Sequence, residues 1–546
     1  MSEYDEARSS NENDDLVSRS GRTGFASNAR SLGSRARVAA AFGVCVLLAG
    51  CDLDWVKPNV GVPAPARFRE AGPHAAAPIG AGRDFAARFS SKELTTLVAL
   101  ASQGNLDLAA AAARIREADA QARMASAPLW PSLAMHDFGL RTQVPGAALG
   151  QNANGSGASN PLSPARIGRE IALQSNQGNT SALRTNLYQL GLTASYEIDF
   201  WGKNENASRA AQLLANASRF DRDVVEISII STVLNAYFHA LSAQDRLRVL
   251  ARNIQKAEAV QAALLARLKA GAATIVDTAQ QGGIVAELRA MEPPLQETLR
   301  QSRNRLAVLV GRTPEGFSLQ GGSLGALSYP RIEPGLPSEV LLRRPDVAAA
   351  EAKLAAQELS VLRARAAFFP SIKLTGQYGL QSMVLKNLGS PQAIGWQLGM
   401  QIAQPLFDGF YLQGDYESQK AIFTEFAALY RQQILSALMD TENALVAASE
   451  SERRVQLLSK AVAERRQAFN AAIAQLGAGL IDVVTVASIE TALFQDEDLL
   501  EQARLAHFEA ATALYQALGG GWSPTTREAE VSRAQEAFEA DRGPWP

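Results

Sequence analysis

The sequence predicts an α+β membrane protein built from two copies of a strand–helical-hairpin unit. Three observations carry this reading. A short apolar run, Val38 to Gly50, follows Arg35 and Arg37 and stops at Cys51, as an exported leader does. Glycine-bearing segments recur at one fixed spacing, since 479 − 271, 519 − 311 and 399 − 191 all give 208. Segments of period-two hydrophobicity alternate with proline-free stretches of 66 residues, Asn204–Lys269 and Tyr411–Leu476.

The leader comes first. Its apolar core of 13 residues is shorter than the roughly 20 that a bilayer-spanning helix needs. Residues 1–50 carry six basic and six acidic residues, so their removal leaves the net charge of −2 unchanged. That balance gives no concentrated basic face, and no nucleic-acid partner is expected. Of two cysteines, Cys45 leaves with the leader, so the exported chain has neither a disulfide nor a thiolate metal site. No further apolar run near 20 residues is evident, and a chain that still crosses a membrane does so as a barrel.

Residues 51–91 read as a linker, 92–330 as the first repeat, 331–522 as the second and 523–546 as a tail. Strands are expected at about 131–142, 187–199, 371–380 and 393–407. In the second, Tyr188, Leu190, Leu192, Ala194, Tyr196 and Ile198 alternate with polar or small residues. Ile372, Leu374 and Tyr378 do so in the third, and Ile394, Trp396, Leu398, Met400 and Ile402 in the fourth. The first window is weaker: Ala134, Phe138 and Leu140 form the apolar set, with His136 among them. Alternation of this length marks a transmembrane β-strand, and equally a half-buried strand of a soluble sheet. Four strands cannot close a barrel alone, so the membrane reading requires several copies to share one.

Each 66-residue stretch could extend about 100 Å as continuous helix. Its interior repeats apolar residues three and four apart, as in Val224, Ile227, Ile230, Val233 and Leu234, which suggests coiled-coil packing. Both stretches end at Ala-Gly, at Gly271 and Gly479, and resume as helix near 274–308 and 482–516. The picture is two long hairpins whose tip glycines take positive φ. Prolines 330, 334, 337 and 345 mark the junction between copies. The first copy carries a Gly/Asn/Ser-rich loop within 144–186 that the second lacks.

Leu48-Ala49-Gly50-Cys51 resembles a bacterial lipoprotein signal, in which the cysteine is lipidated and becomes the first residue. Together with Tyr196-Glu-Ile-Asp-Phe-Trp-Gly-Lys203, Leu336-Pro-Ser-Glu-Val-Leu-Leu-Arg-Arg-Pro-Asp346, Ala364-Arg-Ala-Ala-Phe-Phe-Pro-Ser371 and Ala513-Leu-Tyr-Gln-Ala-Leu-Gly-Gly-Gly-Trp522, it resembles the outer-membrane factors. These are the TolC-like channels, and the likeness is to the NodT-type efflux lipoproteins. The resemblance implies a homotrimer in which each chain gives four strands to a 12-stranded barrel above a periplasmic helical tube. It also implies a lipid-anchored place in the outer membrane and passive export of small molecules. The implied partners are outer-membrane lipid, a periplasmic adaptor and an inner-membrane transporter of the resistance-nodulation-division type.

The same resemblance places lipid on Trp396, Leu398, Met400 and Ile402, with no charge on the lipid side of these windows. It assigns adaptor docking to Arg267, Gly271 and Asp277 at one tip and to Gly479, Leu480 and Asp482 at the other. Family channels close through polar contacts there, often with an aspartate nine residues past the tip glycine. Here those positions hold Gln280 and Ser488; Asp277, Asp482 or Glu490 are the candidate substitutes, each more often simply a solvated helix charge. Asp52 departs from the usual outer-membrane sorting signal. The loop 144–186 reads as an enlarged extracellular loop or an inconsequential insertion, and Trp201 as an interfacial aromatic or a packing residue.

No catalytic set, cofactor or metal is expected: the four histidines are scattered, and Gly519-Gly-Gly521 follows a helix and lacks a P-loop lysine. One rival is a periplasmic adaptor lipoprotein, which carries a single hairpin. Another is a lipid-anchored enzyme.

Overall fold

The computed structural model of the chain describes residues 55, 57–63, 65–69, 82–144, 183–330, 332 and 336–522. The leader, Cys51, Asp52, most of the loop 144–186 (145–182) and the tail 523–546 lie outside the described residues. Residues 58–546 group as one compact unit, separate from 1–57, and it is the unit described below.

The first repeat opens with α1 (Gly82–Ala87), α2 (Lys92–Gly104) and α3 (Leu106–Ser126), followed by β1 (Ser132–Val144) and β2 (Leu183–Ile198). The chain then enters α4 (Lys203–Lys269), turns, and returns as α5 (Ile275–Ala290) and α6 (Glu292–Leu309). The second repeat runs α7 (Pro337–Leu342), α8 (Pro345–Ala366), β3 (Ser371–Ser382), β4 (Ile394–Ala403), α9 (Tyr411–Gly477) and α10 (Val483–Ala517). Helices α1–α3, α7 and α8 are additions to the expected elements, although α2 shows a helical pattern in Leu94, Leu97, Val98 and Ala101 behind the Ser91 cap. The return arm of the first hairpin breaks at Met291, where Pro293 and Pro294 follow at the start of α6. Proline donates no backbone hydrogen and belongs in a first helical turn, so the run restarts rather than continuing.

The 208-residue repeat is written into the backbone. Gly271 and Gly479 have φ of 76° and 74°, and Gly311 and Gly519 of 73° and 84°. Both long helices begin from a left-handed residue, Gly202 in the first copy and Phe410 in the second.

Among the described residues the strands form one antiparallel sheet of order β1-β2-β3-β4, with β1 and β4 as free edges. The helices form a layer with the same two edges. Beside the sheet the sequence of packing is α3, α4, α8, α9; toward the tips it is α6, α4, α10, α9. Each α4 and α9 has 67 residues, so about 100 Å separates sheet from tips. Between them a belt of buried rings fixes the layer: Phe85 stacks on Tyr515 at 4.2 Å, and Phe89, Phe238 and Phe508 close the cluster.

One 18-residue stretch of α4 is apolar enough to cross a membrane (mean hydropathy 1.5), contrary to the expectation of no such run, but 61% of it is buried against other helices. It is the centre of the layer. Ion pairs staple neighbouring helices along the length: Arg219–Asp119 joins α4 to α3, Arg246–Asp498 joins α4 to α10, and Arg465–Asp496 joins α9 to α10.

Candidate functional site

Two surfaces carry the expected chemistry, the faces of the sheet and the hairpin tips. Residues paired across antiparallel strands share a face, so the register sorts every strand side chain. One face carries Gln189, Thr193, Ser195 and Glu197 of β2, Lys373, Thr375 and Gln377 of β3, and Gln397 and Gln401 of β4. The other carries Leu190, Leu192, Tyr196, Leu374, Tyr378, Trp396, Leu398, Met400 and Ile402. Trp396 and Leu398 are 74% and 77% exposed, so this apolar face is uncovered in the single chain.

The register corrects the reading of β1. His136 pairs with Gly191, which puts Ala134, His136, Phe138 and Leu140 on the polar face. There His136 Nδ1 lies 3.2 Å from Thr193 Oγ1. The apolar face of β1 is instead Leu133 and Met135, both exposed, followed by Asp137. A lipid side free of charge is therefore also corrected. Asp137 sits level with Leu190, Leu380 and Ile394, where β4 begins, at the end of the apolar band.

At the strand–helix junction Trp201 donates from Nε1 to Pro370 O at 2.9 Å and stacks on Phe369. Trp201 packs at the junction.

The tips are built by one rule used twice. The Gly271 and Ala272 amides donate to Leu268 O and Arg267 O at 3.0 and 2.8 Å, and the Gly479 and Leu480 amides donate to Leu476 O and Gln475 O at 3.1 and 2.9 Å. This pairing closes a helix whose next residue is left-handed. A Cβ at either glycine would meet nothing within 4 Å, so both point into open space. The caps that restart the helices are mirror images. Thr274 and Asp277 form a capping box on α5, while Asp482 accepts from the Thr485 amide at 2.8 Å on α10. The Thr274 amide and hydroxyl hold the Asp277 carboxyl below its ordinary value, and the Thr485 side chain and amide do the same for Asp482. Both aspartates therefore serve as helix caps.

Arg267 reaches across: its Nη2 donates to Leu476 O at 3.0 Å and Gly477 O at 3.4 Å, the terminal carbonyls of α9. A cation at a helix C-terminus meets the terminal carbonyls and the negative end of the dipole, and here it ties the two tips together. Around them Ile275, Val276, Leu480 and Val484 are exposed.

The three gate positions separate. Gln280 and Ser488 are exposed, and the Ser488 hydroxyl turns back to Thr485 O at 2.8 Å. Glu490 is fully buried, which corrects its reading as a solvated charge. Its Oε2 accepts from Gln281 Nε2 at 3.0 Å, which also donates to Ala257 O at 3.2 Å. Burial pushes the Glu490 carboxyl up, against the Gln281 hydrogen bond and the Lys256 charge. In this conformation it joins α5 to α10 inside the apolar cluster of Leu250, Val285 and Leu493 and reaches no surface.

Sequence reasoning missed Gln281, next to a position it did weigh, and Arg344 as a structural centre. Arg344 is buried and donates to Asp346 at 2.6 Å, Asp440 at 3.2 Å and Ala517 O at 3.0 Å. Thr274 could have been found, since Thr-Ile-Val-Asp ahead of an apolar run is a capping-box signature.

The sequence profile of the family "Outer membrane efflux protein" matches residues 97–312 and 336–520, the two repeats. This chain belongs to that family. The pyoverdine export outer membrane protein OpmQ of Pseudomonas aeruginosa is 32% identical, over 88% of this chain and 95% of that protein. The cation efflux system protein CusC of Escherichia coli K12 is 26% identical, over 88% and 98%. Among solved structures, the outer-membrane channel OprN shares the fold with a TM-score of 0.76 at 24% identity, over 86% of this chain and 99% of that one. The open-state MtrE channel of Neisseria gonorrhoeae gives 0.71 at 26% identity, over 86% and 98%.

As an outer membrane efflux protein, the chain is an outer-membrane channel subunit of a tripartite efflux system, with its helices in the periplasm. Channels of this family assemble as trimers and work with an adaptor and an inner-membrane pump.

Proposed function

We propose that three copies of this chain form a passive exit duct for small molecules, anchored by lipid on Cys51. The observation that carries it is the double edge: sheet and helix layer both end in unpaired elements on the same two sides. Three four-stranded sheets supply 12 strands, a closed barrel without edges. Trp396, Leu398, Met400 and Ile402 then face lipid and Gln397 and Gln401 face the aqueous bore.

The tips around Gly271 and Gly479 dock an adaptor, and the exposed Ile275, Val276 and Leu480 beside them provide the apolar contact. The transporter behind the adaptor is of the resistance-nodulation-division type and supplies the energy. The duct performs no catalysis and takes no cofactor. Its relatives are named for cargoes as unlike as pyoverdine and cations, which supports leaving cargo selection to the pump.

Purified protein added to planar bilayers should conduct ions, and outer-membrane extracts should yield heat-resistant trimers. A soluble monomer without conductance would sink the proposal and restore the adaptor reading.

A further inference from the structure

The trimeric reading leaves open what fits one copy to the next along the periplasmic tube. The exposed faces of the two edge helices carry an answer. On α6, Leu295, Ser302, Leu306 and Ala307 are buried toward α4. Pro293, Glu297, Arg300, Asn304 and Val308, spaced four, three, four and four apart, line the opposite face and are exposed. A groove of about 460 Å³ runs along it, lined by Pro293, Gln296, Glu297, Arg300, Gln301 and Asn304.

On α9, Ala437, Thr441, Ala444 and Leu445 are buried. The face opposite shows Leu435, Met439, Val446, Glu450, Arg453 and Leu457, again at threes, fours and sevens. That spacing is the seam pattern of a coiled coil whose partner is absent from the single chain. Arg300, Glu450 and Arg453 make no ion pair within the described residues.

The two faces match by level. The copies of a ring stand at equal height, and within each copy Arg267 holds both tips level. Counted in residues from its own tip glycine, Pro293 and Leu457 both lie at 22, Glu297 and Arg453 at 26, Arg300 and Glu450 at 29, and Asn304 and Val446 at 33. At both charged levels the signs are opposite, and at level 22 the exposed Leu457 meets Pro293 in the wall of the groove.

We infer that α6 of one copy and α9 of the next form an interchain coiled-coil seam, and that Glu297–Arg453 and Arg300–Glu450 set its register. The partner is a second copy of this chain, and the inference rests on the trimeric reading above. The seam selects for self: a slip of one turn along either helix puts Arg300 level with Val446 or Arg453 instead of Glu450, and a foreign chain with different charges at these levels meets the same penalty.

The test uses the full chain in outer-membrane extracts. Arg300→Glu alone and Glu450→Arg alone should each lower heat-resistant trimer several-fold, and the double reversal should restore it. Asn304→Cys with Val446→Cys should give disulfide-linked trimers on mild oxidation. Single reversals as heat-resistant as wild type, with no 304–446 cross-link, would overturn the seam. A control cysteine pair across the β1 and β4 edges separates the two readings: if it still links copies, the trimer stands and only the seam fails.

Discussion

At the scale of single residues, the molecule spends its polar chemistry on holding helix ends and crossings. Arg344 is the clearest case. Burial works against its charge, but its bonds to Asp346, and Asp440 beside it, outweigh that and push it further up. Arg344→Ala would take this donor from Asp440 and the Ala517 carbonyl, while Asp346 keeps its bonds from Gln433 and Val347, and should cost about 2 kcal/mol of stability, read by thermal melting. Arg344→Lys should recover little, because Arg344 meets both Asp346 oxygens with a planar fork. Glu490 works in the opposite sense. Its raised value means that the folded chain favours the neutral acid, so its contribution is full below the ordinary carboxylate range and is lost as pH rises through the folded value. Two buried acceptors, Gln281 Oε1 and Glu490 Oε1, have no donor among the described residues. Glu490→Gln should flatten the pH dependence of the amide protection factors in α5 and α10; unchanged protection profiles would refute this.

At the scale of elements, the repeat shows which features a hairpin requires. The glycine at each tip is required for its left-handed backbone alone, since nothing crowds it. Gly519 is different: a Cβ there would fall 2.1 Å from Arg343 O, so both φ and space demand glycine. Gly271→Val with Gly479→Val should therefore cost about 1–2 kcal/mol per site locally, leaving trimers intact while impairing efflux. Normal drug tolerance in that double mutant would count against docking at the tips. The return arms were legible from their periodicity, but the break at Met291 and the reversed face of β1 were not. In β1 Met135 and Leu133 alternate with Ala134 and Phe138, so both faces have apolar members and the period gives no direction. Only pairing with β2, whose faces differ sharply, decides it.

At the scale of the whole molecule, the proposed trimer is anchored twice, by its barrel and by lipid on Cys51. Cys51→Ser should abolish lipidation while leaving the fold and its trimer able to form; mass spectrometry of the mature N-terminus checks the first half, and an unmodified Cys51 in the wild type would contradict it. The sequence by itself determined the twofold repeat, the strand count and the two long hairpins. Each of these is a local or periodic property, carried by spacing along one chain. Only the tertiary structure decided which side chains meet: that Arg267 closes the other hairpin, that Glu490 is buried against Gln281, that His136 leaves the apolar face, and that the layer ends in two matched edges. Those contacts join residues from 55 (His136 and Gly191) to 209 positions apart, and burial and register exist only once such distant segments are packed together.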